Sequence, residues 1–155
     1  MPNRYFKYGL LLSAFALISD QITKFYALKY LSHGEIINVA PFFDLLLAWN
    51  KGVSFGMFNS GAQLTLIILS SVAVAVTIFL SVWMYRSKDI FLTLALGGII
   101  GGALGNLIDR LRYGAVVDFL EVYWKTHHFP TFNIADSFIC VGVAVILLMN
   151  LKKEN

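Results

Sequence analysis

Four stretches of this chain, near residues 8–28, 62–85, 90–109 and 132–151, approach the roughly 20 apolar residues needed to cross a hydrocarbon core of about 30 Å. With 155 residues, 58% of them hydrophobic and only 14% charged, the composition is far from that of an ordinary soluble domain. The expected fold class is an all-α integral membrane protein: one domain over 1–155, with four transmembrane helices and no water-soluble domain left over.

The first stretch has one feature of a secretory signal, since Arg4 and Lys7 precede an apolar run that begins at Gly9. The run is long for a signal, contains Asp20 and Lys24, and is not closed by a small-x-small cleavage site, so a retained span is expected. Cys140 is the single cysteine, which excludes an internal disulfide, and its place in the last apolar stretch favours inert packing.

Orientation follows from the density of basic residues. Arg4, Lys7, Arg86, Lys88, Lys152 and Lys153 occupy short segments with only Asp89 and Glu154 beside them. On the other side, Lys24, Lys29, Lys51, Arg110, Arg112 and Lys125 are spread over two longer segments that hold the remaining carboxylates. The positive-inside rule then places both termini in the cytoplasm and the longer loops outside. A net charge of +3 suits contact with anionic lipid headgroups, and the dispersed basic residues form no stripe for nucleic acid. We find no low-complexity segment and no internal repeat, which weakens an inverted-repeat transporter.

Between the first two spans, at about 35–58, the pattern becomes extended. Ile36, Ile37 and Val39 lead to Pro41, and the runs 45–49 and 53–58 flank Asn50, Lys51 and Gly52, a sequence suited to a hairpin turn. A small β element on the outer surface is expected, with Trp49 as an interfacial anchor. Asn50 is either a turn former or a group that orients a substrate backbone or a carboxylate.

The polar residues of the apolar stretches gather toward the outer end. Asp20 and Lys24 share a helix face one turn apart, as a structural ion pair or as part of a site, and helix rise puts Asp20 about 20 Å from the cytoplasmic start. Asn106, Asp109 and Arg110 share a face on the third span, after Gly97, Gly98, Gly101, Gly102 and Gly105, whose spacing of four allows close helix approach. An outer loop then carries Asp118 in the apolar run from Gly114 to Phe119. The fourth span opens on Asn133 and Asp136, with Asn133 either capping the helix or sharing a face with Asp136.

Asp118 and Asp136 should meet near the outer membrane boundary in apolar surroundings, where two acids that cannot both ionise cheaply share a proton. One carboxylate can then take a proton from water while the other donates to a scissile carbonyl and later supports departure of the amine. This aspartic-protease chemistry requires neither metal, cofactor nor covalent intermediate. His33, His127 and His128 lie in outer loops, and the chain contains no HExxH helix, GxSxG elbow or phosphate-cradling loop.

Taken together, these residues resemble the lipoprotein signal peptidase family, also called signal peptidase II. The likeness runs through Asp20, Gln21, Thr23 and Lys24; Asn50, Gly52, Phe55 and Gly56; Gly102, Ala103, Gly105, Asn106, Asp109 and Arg110; Gly114, Val117, Asp118 and Phe119; and Phe129, Pro130, Phe132, Asn133, Ala135, Asp136 and Ser137. Val53 and Ser54 depart from the small residues, often alanine, usual in the hairpin. The resemblance implies four membrane helices, an extracytoplasmic β-cradle and a mobile outer loop over the site. It implies Asp118 and Asp136 as the catalytic pair, with Asp20, Lys24, Asn50, Asn106, Arg110 and Asn133 supporting the pair or the substrate. Asp109, beside Asn106 and Arg110, is expected in the same frame.

The substrate the resemblance implies is a bacterial prolipoprotein whose cysteine carries diacylglycerol, cut just before that cysteine, in the bacterial cytoplasmic (inner) membrane. The enzyme is expected to be monomeric, in contact with membrane lipid, with its site near the outer leaflet. Two other classes fit the residues alone: a small proton-coupled transporter using Asp20, Asp109, Asp118 and Asp136 as a relay, and an interaction subunit whose polar residues pin helices together.

Overall fold

The computed structural model describes residues 4–52 and 61–152. The elements in chain order are α1 (Phe6–Tyr30), β1 (Ile36–Ala40), β2 (Phe43–Asn50), α2 (Gly61–Arg86), α3 (Ile90–Tyr113), β3 (Val116–Trp124), β4 (His127–His128) and α4 (Ile134–Leu151). α3 is the central helix, packed against α1, α2 and α4.

The glycines of α3 explain that centrality. A Cβ on Gly97 or Gly101 would strike the backbone of α1 at Gly9 or Ser13, and one on Gly102 would strike the carbonyl of Ala135 on α4. The stripes at 97, 101, 105 and at 98, 102 thus serve two different neighbours, and backbones approach more closely than side chains would permit. Below them Leu80, Met84, Leu96, Ile99 and Ile100 form a buried apolar cluster.

Elsewhere the helices are inverted relative to a soluble bundle. Phe15 is 62% exposed and Phe79 65%, whereas Asp20 is fully buried and Lys24 only 2% exposed. Exposed apolar faces of this extent call for a nonaqueous surround. The expectation of four spans is met in part. Gln63–Arg86, Ile90–Tyr113 and Ile134–Leu151 are long and apolar enough to cross a membrane; α1 has the length but not the apolarity, because its inward face carries charge. Cys140, expected to pack inertly, is exposed on α4.

The expected hairpin is a four-stranded antiparallel sheet in the order β1-β2-β3-β4. The turn that joins β1 to β2 is at Pro41 and Phe42, and β2 runs on to Asn50, paired with β1 and β3. The other expected arm, 53–58, including the unusual Val53 and Ser54, lies outside the described residues. The segment expected as an outer loop after the third span is also largely strand. Gly114, in the left-handed region at φ +70°, caps α3, with its N–H donating to the Arg110 carbonyl, and two residues later β3 begins. The β-branched and aromatic residues Val116, Val117, Phe119, Val122 and Tyr123 suit a strand half-covered by helix ends. Ala27, Leu31 and Phe119 form a second buried cluster, with Leu45, Leu47, Leu120 and Ile134 packed on it, and this ties the sheet to α1 and α4.

Candidate active site

At the sheet end of the helices, Lys24 is held by three acceptors. Its Nζ lies 2.9 Å from Asp20 Oδ2, 2.8 Å from Asp109 Oδ2 and 2.9 Å from Asn106 Oδ1, so each ammonium proton has a partner. Asp20 reaches α3 because Gly105 has no side chain: a Cβ there would occupy the place of the Asp20 carboxylate. Gln21 completes the cluster, its Nε2 donating to Asp109 Oδ1 at 3.1 Å and to the Gly105 carbonyl at 3.3 Å.

Both frame carboxylates also accept a backbone N–H. The N–H of Ala135 donates to Asp20 Oδ1 at 2.9 Å, and that of Val117 donates to Asp109 Oδ2 at 3.1 Å. Ala135 is in the first turn of α4, where N–H groups lack helical partners. Asp20 therefore caps a helix other than its own.

Asp118 and Asp136 sit next to these two anchored residues. Asp118, on β3, pairs with Ala48 in the sheet, which places Asn50 diagonally across the same face. Asn50 Nδ2 donates to Asp118 Oδ2 at 3.0 Å, and Asn133 Nδ2 donates to Oδ1 at 2.7 Å. Asp136, half-buried at the start of α4, accepts from Asn106 Nδ2 at 2.8 Å. Asn133 Nδ2 also lies 3.1 Å from Asn106 Oδ1, so the two aspartates are joined through two carboxamides. Phe132, bridged to Leu120 on β3, holds Asn133 beside the strand.

Obligate donors fix which way each carboxamide faces. Asn50 Oδ1 accepts from the N–H of Gly52 at 2.8 Å, Asn133 Oδ1 from the N–H of Asp136 at 2.9 Å, and Asn106 Oδ1 from Lys24. Each amide nitrogen is thereby turned to a candidate catalytic carboxylate. The alternatives open in the sequence are not exclusive: Asn50 shapes its turn, with Gly52 at φ +81°, and orients Asp118; Asn133 caps α4 and also binds Asp118.

Burial pushes the Asp118 carboxyl up to about 6, against the Asn50 hydrogen bond, which lowers it; the Asp136 charge raises it further, while Asn133 and Lys24 lower it. An acid raised from 3.8 to about 6 on folding favours the folded state fully below 3.8, and that contribution is lost as pH rises through about 6. Across this window wild type should lose stability relative to Asp118→Asn, by about 3 kcal/mol in all at 1.36 kcal/mol per pKa unit. Thermal unfolding of the two proteins over that pH range checks this; a constant difference in Tm would contradict it.

The structure thus gathers Asp20, Lys24, Asn50, Asn106, Asp109, Asn133, Asp118 and Asp136 into one network. Arg110 stands apart from the carboxylates, its Nη1 donating to the carbonyl of Asn106 on its own helix at 3.4 Å. Reasoning from helix faces missed Gln21, one residue from Asp20 and so turned about 100° from it, and missed the N–H groups of Val117 and Ala135. Only the family motif pointed to Gln21. Among the described residues no group of three or more His, Cys, Asp or Glu side chains is placed to hold a metal ion.

The family model for signal peptidase (SPase) II matches residues 12–152. A lipoprotein signal peptidase of Rhodopseudomonas palustris is 47% identical, over 90% of this chain and 88% of that one, and one of Shewanella loihica is 42% identical, over 99% and 94%. A bacterial membrane enzyme solved by the in meso method at 2.3 Å resolution superposes with a TM-score of 0.86 at 30% identity, over all of this chain and 94% of the other. With the match extending through every segment that builds the network, the chain belongs to the signal peptidase II family.

Proposed function

We propose that this protein is an aspartic endopeptidase that removes the signal peptide from bacterial prolipoproteins bearing a diacylglyceryl-cysteine, cutting just before that cysteine, with Asp118 and Asp136 as its catalytic pair. The observation that carries the reading is the convergence of two aspartates from separate elements on three carboxamides, each of which donates an N–H to one of them.

The pair holds one proton between its two members. The ionised carboxylate accepts a proton from water as the water oxygen attacks the scissile carbonyl, and the protonated one donates to the carbonyl oxygen, giving a tetrahedral diol. Return of one diol proton to a carboxylate and protonation of the amide nitrogen accompany C–N cleavage. The signal peptide leaves with a new carboxyl group, the cysteine gains a free amine, and the pair is restored with one proton. Asn50, Asn106 and Asn133 stabilise whichever member is ionised and require no rearrangement to do so. Asp20, Lys24 and Asp109 hold the elements that bear the pair.

In this reading all four helices span the bacterial inner membrane as a single domain, with α1 included because its mid-helix charges, Asp20 and Lys24, face inward, Lys7 and Lys29 lie near its ends, and its exposed face between them is largely apolar. Both termini are cytoplasmic, the site lies near the outer leaflet, and the enzyme acts as a monomer. The scissile bond of a lipid-anchored substrate would sit at the same depth. Family membership leaves the proton-coupled transporter without support.

The test is cleavage by the purified protein in lipid nanodiscs, with the product identified by mass. A diacylglyceryl-modified precursor should be cut before its cysteine, and the unlipidated precursor at least about 10-fold more slowly, since burial of a few methylenes is worth that factor. Equal processing of both would contradict the lipid requirement; no cleavage of either would overturn the reading.

A further inference from the structure

Two hydrogen bonds of the frame share a relation to the reacting groups. Asp20 accepts the N–H of Ala135, the residue just before Asp136, and Asp109 accepts the N–H of Val117, the residue just before Asp118. Both frame carboxylates are tied to one ammonium, Lys24, at 2.9 and 2.8 Å. We infer that Lys24 is a positioning residue that sets the separation of Asp118 from Asp136, drawing together, through Asp20 and Asp109, the backbone of the residue that precedes each.

The path on either side is short and stiff. From Lys24 it passes through one carboxylate and one backbone N–H to the residue adjoining each aspartate. It does not depend on the carboxamides, which act on the aspartate side chains. All the connecting atoms are buried: Asp20 is fully so, Lys24 is 2% exposed and Asp109 1%. A third arm, from Lys24 through Asn106 to Asp136, orients the carboxylate whose backbone the first arm places. A lysine suits this junction because three protons on one nitrogen can hold three acceptors from two helices.

Spacing matters because the coupling between two acids that share a proton depends on their distance. If the clamp relaxes, the acid and alkaline limbs of the pH–rate profile should move closer together. A purely structural loss lowers the amount of active enzyme and leaves both limbs in place. Among the described residues, the charged groups hydrogen-bonded into the network around the pair are Lys24 and Asp20 on α1 and Asp109 on α3; Arg110, on α3, binds the Asn106 carbonyl instead.

The experiment measures kcat and KM against pH for full-length Asp20→Asn, Asp109→Asn, the double variant and Lys24→Met, using a diacylglyceryl-modified precursor. At Asp20 the Ala135 N–H and Lys24 use different oxygens, so an asparagine cannot serve both. At Asp109 both bonds fall on Oδ2, and an asparagine that kept them would lose the charge that holds Lys24 and set its amide N–H against the Gln21 amide donor on Oδ1, so each single variant loosens one arm and retains the other. We expect each to lose about 10²-fold in kcat, the scale of a 1 Å misplacement, with KM changed less than threefold and the limbs about one pH unit closer. Because both arms act through one lysine, the double variant should lose little more than the worse single. Lys24→Met strands two buried carboxylates and is the variant most prone to misfold; the two single variants decide the matter without it. Limbs unmoved in both single variants, or wild-type kcat in either, overturns the clamp. The inference rests on the proposed pair, which has its own control. If Asp118→Asn and Asp136→Asn are inactive while the frame variants keep wild-type limbs, the clamp fails and the pair stands; if either aspartate variant retains activity, the pair itself fails.

Discussion

Asp118→Asn and Asp136→Asn should each cost about 10²- to 10⁴-fold or more in the rate of precursor cleavage, the range lost with a general acid or base, while each protein remains folded and inserted in the membrane. The two substitutions are isosteric and neutral, so neither adds a buried charge. For Asp118→Asn the expectation is stronger than mere tolerance. The carboxyl is pushed up to about 6 by burial, so its ionised form costs folding energy at neutral pH that an amide does not. A variant that melts at or above the wild-type temperature and does not cleave would exclude unfolding as the cause. Turnover at the wild-type rate by either pure variant would remove the aspartic mechanism. Single-turnover cleavage, with the folded fraction measured on the same sample, is the decisive measurement.

Asn133→Asp should be nearly as damaging, although it changes one atom type and no volume. Asn133 is fully buried, and its Nδ2 faces three oxygens: Asp118 Oδ1 at 2.7 Å, Asn106 Oδ1 at 3.1 Å and the Val117 carbonyl at 3.3 Å. A carboxylate in its place would still accept the Asp136 N–H, so the cap of α4 survives. It would lose a donor to a charged acceptor, worth about 1.5–3 kcal/mol, and would set a like charge against Asp118. We expect a loss of about 10²-fold or more in kcat at neutral pH and an alkaline shift of the limb that reports Asp118, which holds its proton more tightly. Asn133→Ser, which removes the donor without adding charge, should lose activity with a smaller shift. An Asn133→Asp protein with the wild-type profile would show that the amide does not act on Asp118.

What could be read from the residues depended on whether the signal was local. The apolar runs gave the helices, since length and composition along one segment suffice. The stripe from Gly97 to Gly105 gave close packing but not its partners, because two interleaved spacings of four serve α1 and α4 separately. Asn50 and Gly52 make the turn contact that their sequence suggests, whereas the turn that joins β1 and β2 lies at Pro41 and Phe42. Turn chemistry at one place does not say which strands pair. The outer loop expected to carry Gly114 to Phe119 is largely strand β3, whose β-branched and aromatic residues favour that conformation.

The site followed the same division. Asp20 with Lys24, and Asn106 with Asp109, were legible as helix-face neighbours. That one lysine serves both carboxylates, and that each carboxylate holds a main-chain N–H far along the chain, was not, because a backbone donor carries no residue identity. Asn50 and Asn133 could each be read as turn or cap, or as ligand to a carboxylate. The amide has two ends, and the structure uses both.

The missing side chain at Gly105 has a practical consequence for anyone engineering this enzyme. Replacing helix glycines by alanine is a standard route to greater robustness, because it stiffens the unfolded chain and raises helix propensity. At Gly105 the added methyl would compete with the Asp20 carboxylate for the same volume. A gain in helix propensity of about 1 kcal/mol at most would come with eviction of a buried ion from its partners. The least chemically endowed residue of α3 is thus among the least replaceable.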